Sequence, residues 1–245
     1  MRIFLSILLI GLLFGSLSVR ADSVTGDETH LAKILGLKIE DIAPSPIPGL
    51  YQITIGPQVV YVSADGRYII RGDIIDVHSG DNLTASNRAE MRLAYLRQLG
   101  TADMIVFSPT HPQHTITVLT DIDCQYCRVF ERERPTLNAM GVAVQYLFFP
   151  IDGIGSRSWH KAMAVWCSND RKSAFEAAMT GKPVTSTPCD TAAMTAGYRF
   201  GKLLSLNGTP AIITDDGRLI DGYLPPTELV SVLDAGSQTA QKAAH

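Results

Sequence analysis

At 245 residues the chain is long enough for one large domain or two modest ones. Hydrophobic residues make up 46% and charged residues 18%, a composition that excludes a disordered chain and supplies at least one packed core. The formal net charge is −3 and no long basic run is present, so no nucleic acid is expected among the partners.

The opening stretch MRIFLSILLIGLLFGSLSVRA sets Arg2 before an apolar run over 3–17. It closes on Val19-Arg20-Ala21, small residues at the positions a signal peptidase reads. A membrane span needs about twenty apolar residues, so this run suits an export signal, with an uncleaved N-terminal anchor as the rival reading. Export would place the remainder in an oxidising compartment, where cysteines pair.

Residues 28–37 carry helical spacing in Leu31, Ile34 and Leu35, with a stop at Gly36. APSPIPG, 43–49, reads as a Pro-rich extended connector. Runs of β type follow at 51–55, 59–62 and 67–71, punctuated by Gly56-Pro57 and Ala64-Asp65-Gly66, and 74–77 offers a short fourth. A unit of about sixty residues with one small sheet buries little apolar surface, so it must pack on the rest of the chain or pair with a second copy. Asn87 and Glu90 have the spacing of a capping pair. They open a helix that carries Met91, Tyr95, Leu96 and Leu99 and ends at Gly100. It reads as a linker helix, with the first helix of a second domain as the alternative.

Beyond it, 115–119 is a buried-type strand that leads through Thr120-Asp121-Ile122-Asp123 into Cys124-Gln125-Tyr126-Cys127. A helix should run from about Cys124, and Pro135 should end or kink it. A second buried strand covers 142–149, and a helical insertion spans roughly 156–200. Strands at 211–214 and 218–220 flank the turn Asp215-Asp216-Gly217, and 227–233 is a final amphipathic helix. The order is that of an α/β domain.

A Cys-x-x-Cys between a strand and a helix is a redox arrangement. One helical turn separates the sulfurs, so they can close a small ring. The first sulfur lies at the helix start, where free N–H groups favour a thiolate. Cys124 is therefore expected to be the nucleophile and Cys127 the resolving thiol. Arg128, one turn after Cys124, should lower its pKa, whereas Asp121 and Asp123 would raise it if they point at the sulfur. Two other readings compete: a purely structural bridge, and a zinc site completed by His111 and His114, which are read instead as exposed loop residues. Gly208-Thr209-Pro210, just before a strand, suggests a cis bond that brings Thr209 beside the cysteines to offer its backbone to an extended substrate peptide. Of the three possible pairings of four cysteines, 124–127 with 167–189 is the simplest, making Cys167–Cys189 a structural bridge that closes the insertion.

Several stretches in order, TDIDCQYC (120–127), Phe149-Pro150, AVWC (164–167), PCD (188–190), GTPAII (208–213) and GYLPP (222–226), resemble the periplasmic disulfide isomerases of the DsbC type. DGRYIIRGDIIDV (65–77) resembles that family's dimerisation domain. The resemblance implies an α/β thioredoxin-like domain with a helical insertion, preceded by a small α+β, cystatin-like dimerisation domain and a linker helix. The corresponding division is a signal peptide over 1–21, a dimerisation domain over 22–82, a linker helix over 83–104 and a catalytic domain over 105–245.

The same resemblance implies a V-shaped homodimer with Gly72 at its interface, and an apolar cleft between two catalytic domains. It also implies a structural second disulfide, misfolded exported proteins as substrates, a membrane reductase of the DsbD type as partner, and neither cofactor nor metal. A DsbG-like thiol reductase and a holdase chaperone are the alternative functions. The Gln125-Tyr126 dipeptide departs from the Gly-Tyr usual in that family, and Pro135 in the active-site helix is a second departure.

Overall fold

The computed structural model describes residues 26–243, with side chains as far as residue 236, so the expected signal segment lies outside the described residues. The first element is helix α1 (Gly26–Leu35), ended by Gly36 at φ 66°. It covers an antiparallel sheet of four strands in the order β1 (Ile42–Pro44), β2 (Leu50–Ile55), β3 (Gln58–Ser63) and β4 (Ile69–Ile70). Leu31, Ala32, Ile42, Ile53 and Val62 form the small core beneath it. The start of the Pro-rich connector is thus an edge strand rather than a free extended segment, and an edge is where a strand tolerates a proline. Residues 74–77 form no strand; Ile75 makes a single bridge to Asn82.

Helix α2 (Leu83–Leu99) starts earlier than the capping pattern predicts. Asn82 is its N-cap and accepts from Ala85 N at 2.8 Å, while Asn87 lies inside the helix and donates to Gln52 Oε1 at 2.6 Å. The reason is tertiary: Thr84 in the first turn is fully buried, its hydroxyl paired with Tyr61 and accepting from Ile74 N. The far half of α2 packs on the second sheet through Tyr95, stacked 4.5 Å from Phe200, and through Leu96 and Leu99. Arg92 Nη1 donates to Gly217 O at 2.6 Å. Gly217 holds φ 81°, and a Cβ there would strike the backbone of Ala89, so glycine is what lets the helix come this close.

The second sheet has five strands in the order β5 (Ile105–Phe107), β7 (Val142–Phe148), β6 (His114–Thr120), β8 (Ala211–Ile213) and β9 (Leu219–Asp221). β6 and β7 are parallel and are joined by helix α3 (Gln125–Ala139); the other pairings are antiparallel. Helices α4 (Arg157–Trp166), α5 (Arg171–Met179) and α6 (Ala192–Leu203) make the insertion, and α7 (Pro226–Ala243) closes the chain. Ile116, Val118, Val144, Tyr146 and Phe148 face one core, with Phe130, Phe175 and Leu233. Leu119, Leu147, Ala211 and Ile213 face the other, with Phe200 and Met104. This two-residue alternation between covered faces explains strands that are apolar almost throughout.

Pro135 does not end α3, which continues through it to Ala139. The turn beyond the proline is anchored from outside: Leu137 is buried, and Asn138 Nδ2 donates to Phe107 O and Val142 O. These contacts offset the roughly 3 kcal/mol that an interior proline costs a helix.

Candidate active site

The site is built at the end of β6. Asp121 turns back and organises the loop, accepting from Asp123 N at 2.7 Å, from Ile151 N at 2.9 Å and from the Ser158 hydroxyl. Cys124 N donates to Asp121 O at 3.1 Å, which fixes Cys124 as the N-cap of α3 with extended backbone, φ −73° and ψ 128°. Its half-buried sulfur therefore sits where the first N–H groups of the helix are unpaired. Cys127 is one turn in and buried, at 1% exposure.

The two sulfurs have opposite electrostatic fates. Cys124 is pushed down to about 5, first by hydrogen bonding from Cys127, against the cost of burial, and further by Thr209 and the backbone of Cys127 and Tyr126. Cys127 is pushed strongly up, by burial first and then by its bond to Cys124. The pair thus shares one proton, held by Cys127, and leaves a thiolate on Cys124. The Thr209–Pro210 bond is cis, and Cys124 Sγ lies 3.2 Å from Thr209 O, so this loop and the cysteines come together.

Arg128 does not act as expected. Its Nε donates to Ile122 O at 2.9 Å and its Nη2 to Asp123 Oδ1 at 3.2 Å, so its charge is spent on the loop. Asp123 also receives Lys161 Nζ at 2.5 Å and Arg157 Nε at 3.1 Å. Burial pushes the Asp123 carboxyl up, but these two cations prevail and hold it below the usual range. Neither aspartate faces the sulfur as a bare charge.

Several contributors escape a reading of the sequence. The Thr120 hydroxyl is buried without a hydrogen-bond partner, where it counters part of the rise at Cys127, and Tyr223 stacks 6.4 Å from Tyr126. Thr120 ends the strand before the motif, which was a usable signal; Tyr223 lies 97 positions after Tyr126 in sequence, and no spacing rule joins them.

The expectation for His114 is overturned. It is not an exposed loop residue but the first residue of β6, 8% exposed. Nδ1 lies 2.7 Å from Asp215 Oδ2 and Nε2 lies 3.0 Å from Asp234 Oδ1, so both ring nitrogens are occupied and neither is offered to a metal. His111 is exposed. Cys167 and Cys189 are bridged, with Cα atoms 5.4 Å apart, and tie the end of α4 to the segment before α6. Gly72 lies just past β4, and a Cβ built there meets nothing within 4 Å.

Fold and site together define a thioredoxin-like thiol–disulfide oxidoreductase. Residues 21–85 match the family model of the disulfide bond isomerase protein N-terminal domain, and residues 101–237 match that of a thioredoxin-like domain. The chain belongs to the DsbC family of thiol:disulfide interchange proteins. It is 36% identical to the thiol:disulfide interchange protein DsbC of Escherichia coli (strain K12) over 215 residues, covering 88% of this chain and 89% of that one. It is also 36% identical to the DsbC of Dickeya dadantii (strain 3937) over 202 residues, 82% of this chain and 83% of that one. The solved disulfide interchange protein from Neisseria gonorrhoeae superposes with a TM-score of 0.50 at 27% identity, over 56% of this chain and 96% of that one.

Proposed function

We propose that this chain is an exported protein disulfide isomerase, working in the periplasm as a homodimer on misfolded proteins that carry wrong disulfides. The domain division proposed with it is a signal peptide over 1–21, a dimerisation domain over 22–82, a linker helix over 83–104 and a catalytic domain over 105–245. The observation that carries the reading is the split between the two thiols: a Cys124 pushed down to about 5 beside a Cys127 that keeps its proton. The Cys124 thiolate attacks one sulfur of a substrate disulfide; a new sulfur–sulfur bond forms, and the other substrate sulfur leaves as a thiolate. That thiolate attacks a second substrate disulfide, and a substrate thiolate finally displaces Cys124, so the cycle involves no net oxidation. When rearrangement stalls, Cys127 loses its proton and attacks the Cys124 sulfur. The substrate is released reduced, and the oxidised pair then needs an external dithiol, for which a membrane reductase of the DsbD type is the proposed source.

Thr209 and Pro210 shape the wall on which the substrate backbone rests, and the Cys167–Cys189 bridge is structural. Reactivation of a scrambled multi-disulfide protein by the reduced chain, lost in Cys124→Ala, is the deciding test. Reactivation that survives Cys124→Ala would sink the exchange mechanism.

A further inference from the structure

Cations gather on one side of the reactive cysteine, although the chain as a whole is acidic, with 21 Lys and Arg against 24 Asp and Glu. Arg128, Arg157 and Lys161 all reach Asp123, the residue before Cys124. Asp123 is the acid these three cations share. The opposite side has the reverse character: the Tyr223 hydroxyl donates to Glu133 Oε2 at 2.6 Å, and Glu228 acts on the same ring.

Beside Lys161 the surface opens into a pocket of about 330 Å³, lined by Lys161, Ala178, Gly181, Lys182, Pro183 and Val184. Its lining combines apolar residues with two lysines. Among the described residues Lys182 makes no ion pair. Lys161 gives one bond to Asp123, and an ammonium has three donors, so it keeps capacity for a second acceptor. A short methylene stem ending in a carboxylate matches such a pocket: the stem lies on Ala178, Pro183 and Val184, and the charge meets the lysines.

We propose that Lys161 and Lys182 form a carboxylate subsite on the α4 side of Cys124, which takes an acidic side chain near the reacting cysteine of a substrate polypeptide. The inference deepens the exchange reading and rests on it. The subsite orients the incoming chain, acid toward α4 and basic or aromatic residues toward Tyr223 and Glu133, before sulfur meets sulfur. Lys182 is a specificity-determining residue and takes no part in the exchange.

The test uses the reduced full chain and three synthetic peptide disulfides that differ in one residue near the cysteine: Glu, Gln or Lys. Stopped-flow rates of thiol release at low ionic strength should rank Glu above Gln above Lys. Lys182→Gln should lower the Glu-to-Gln rate ratio about two- to fivefold, the range of one partly exposed ion pair. Lys172→Gln removes the same charge at the other end of α5 and should leave the ratio as it is. An equal fall in Lys172→Gln would mean general charge steering and would overturn the subsite, as would an unchanged ratio in Lys182→Gln. Failure of the Gln peptide to react at all would instead overturn the exchange reading.

Discussion

The chemistry of the site is set at the level of single atoms, by where each sulfur stands in its helix. A thiol at an N-cap meets unpaired N–H groups, whereas a thiol one turn later is enclosed by the core and finds its negative form penalised. For reduced protein, the rate of alkylation at Cys124 should follow a titration with its midpoint near the depressed value of about 5, and Cys127 should stay unlabelled through neutral pH. Faster labelling of Cys127 would reverse the roles proposed for the pair. In Cys127→Ser the mixed disulfide at Cys124 should persist, visible as a covalent adduct in non-reducing electrophoresis, because the resolving attack is gone. Arg128 belongs to the same scale: with its guanidinium paired to Asp123 and Ile122 O, Arg128→Gln should leave the Cys124 titration in place.

Between elements, the catalytic domain is fastened covalently at one bridge and ionically at several places, of which His114 is the most buried. The Cys167–Cys189 bridge spans 22 positions of the insertion. Closing a loop of that length removes unfolded-state freedom worth about 3 kcal/mol, so the double change to Ala should lower unfolding free energy by about that amount while exchange activity persists. Mild reductant should leave this bridge closed; peptide mapping that joins either cysteine to Cys124 or Cys127 would contradict the assignment. The His114 fastening ties β6 to the β8–β9 turn and to α7 through Asp215 and Asp234. Burial disfavours its charged form, but the hydrogen bonds its ring donates to the two carboxylates outweigh that and hold its pKa above the ordinary histidine value. A pKa raised in the folded state adds stability that is complete below the unfolded value of about 6.5 and fades as pH climbs through the folded one. His114→Gln should therefore cost more stability near pH 5 than near pH 9, measured by urea unfolding; an equal cost at both would remove the ionic part of the clamp.

For the whole molecule, α2 serves as a beam between the two sheets. Its start is locked by Thr84 and Tyr61, its end by Tyr95 and Phe200, and Gln58 on β3 adds a side bond to Leu203 O at 2.6 Å. The N-terminal sheet leaves Tyr68, Ile69, Ile70, Ile75 and Val77 exposed beside the edge strand β4. Such an edge needs a partner, and a second copy supplies one in the proposed dimer. Gly72 tests this cleanly: within one chain a side chain there meets open space, so Gly72→Arg should fold normally. Its expected effect is monomers in sedimentation that still reduce simple disulfides but isomerise poorly. Wild-type protein sedimenting as a monomer at micromolar concentration would defeat the scheme.

The sequence by itself determined the α/β order, the strand–CQYC–helix unit and the family, because these rest on local signals: periodicity, turn residues and a motif whose spacing is one helical turn. It placed the strands over 51–55, 59–62, 115–119 and 142–149 close to where they lie, since apolar runs between turn residues need no distant partner to be legible. What it could not determine were choices made across the fold. Asn82 rather than Asn87 caps α2 because Thr84 docks on Tyr61, and α3 survives Pro135 because Asn138 is held by β5 and β7. Arg128 turns from Cys124 to Asp123, and His114 enters the interior between two aspartates that lie 101 and 120 positions away. In each case a polar group had several partners within reach of its side chain, and burial, which removes water as an alternative, picked one; that selection exists only once the chain has folded.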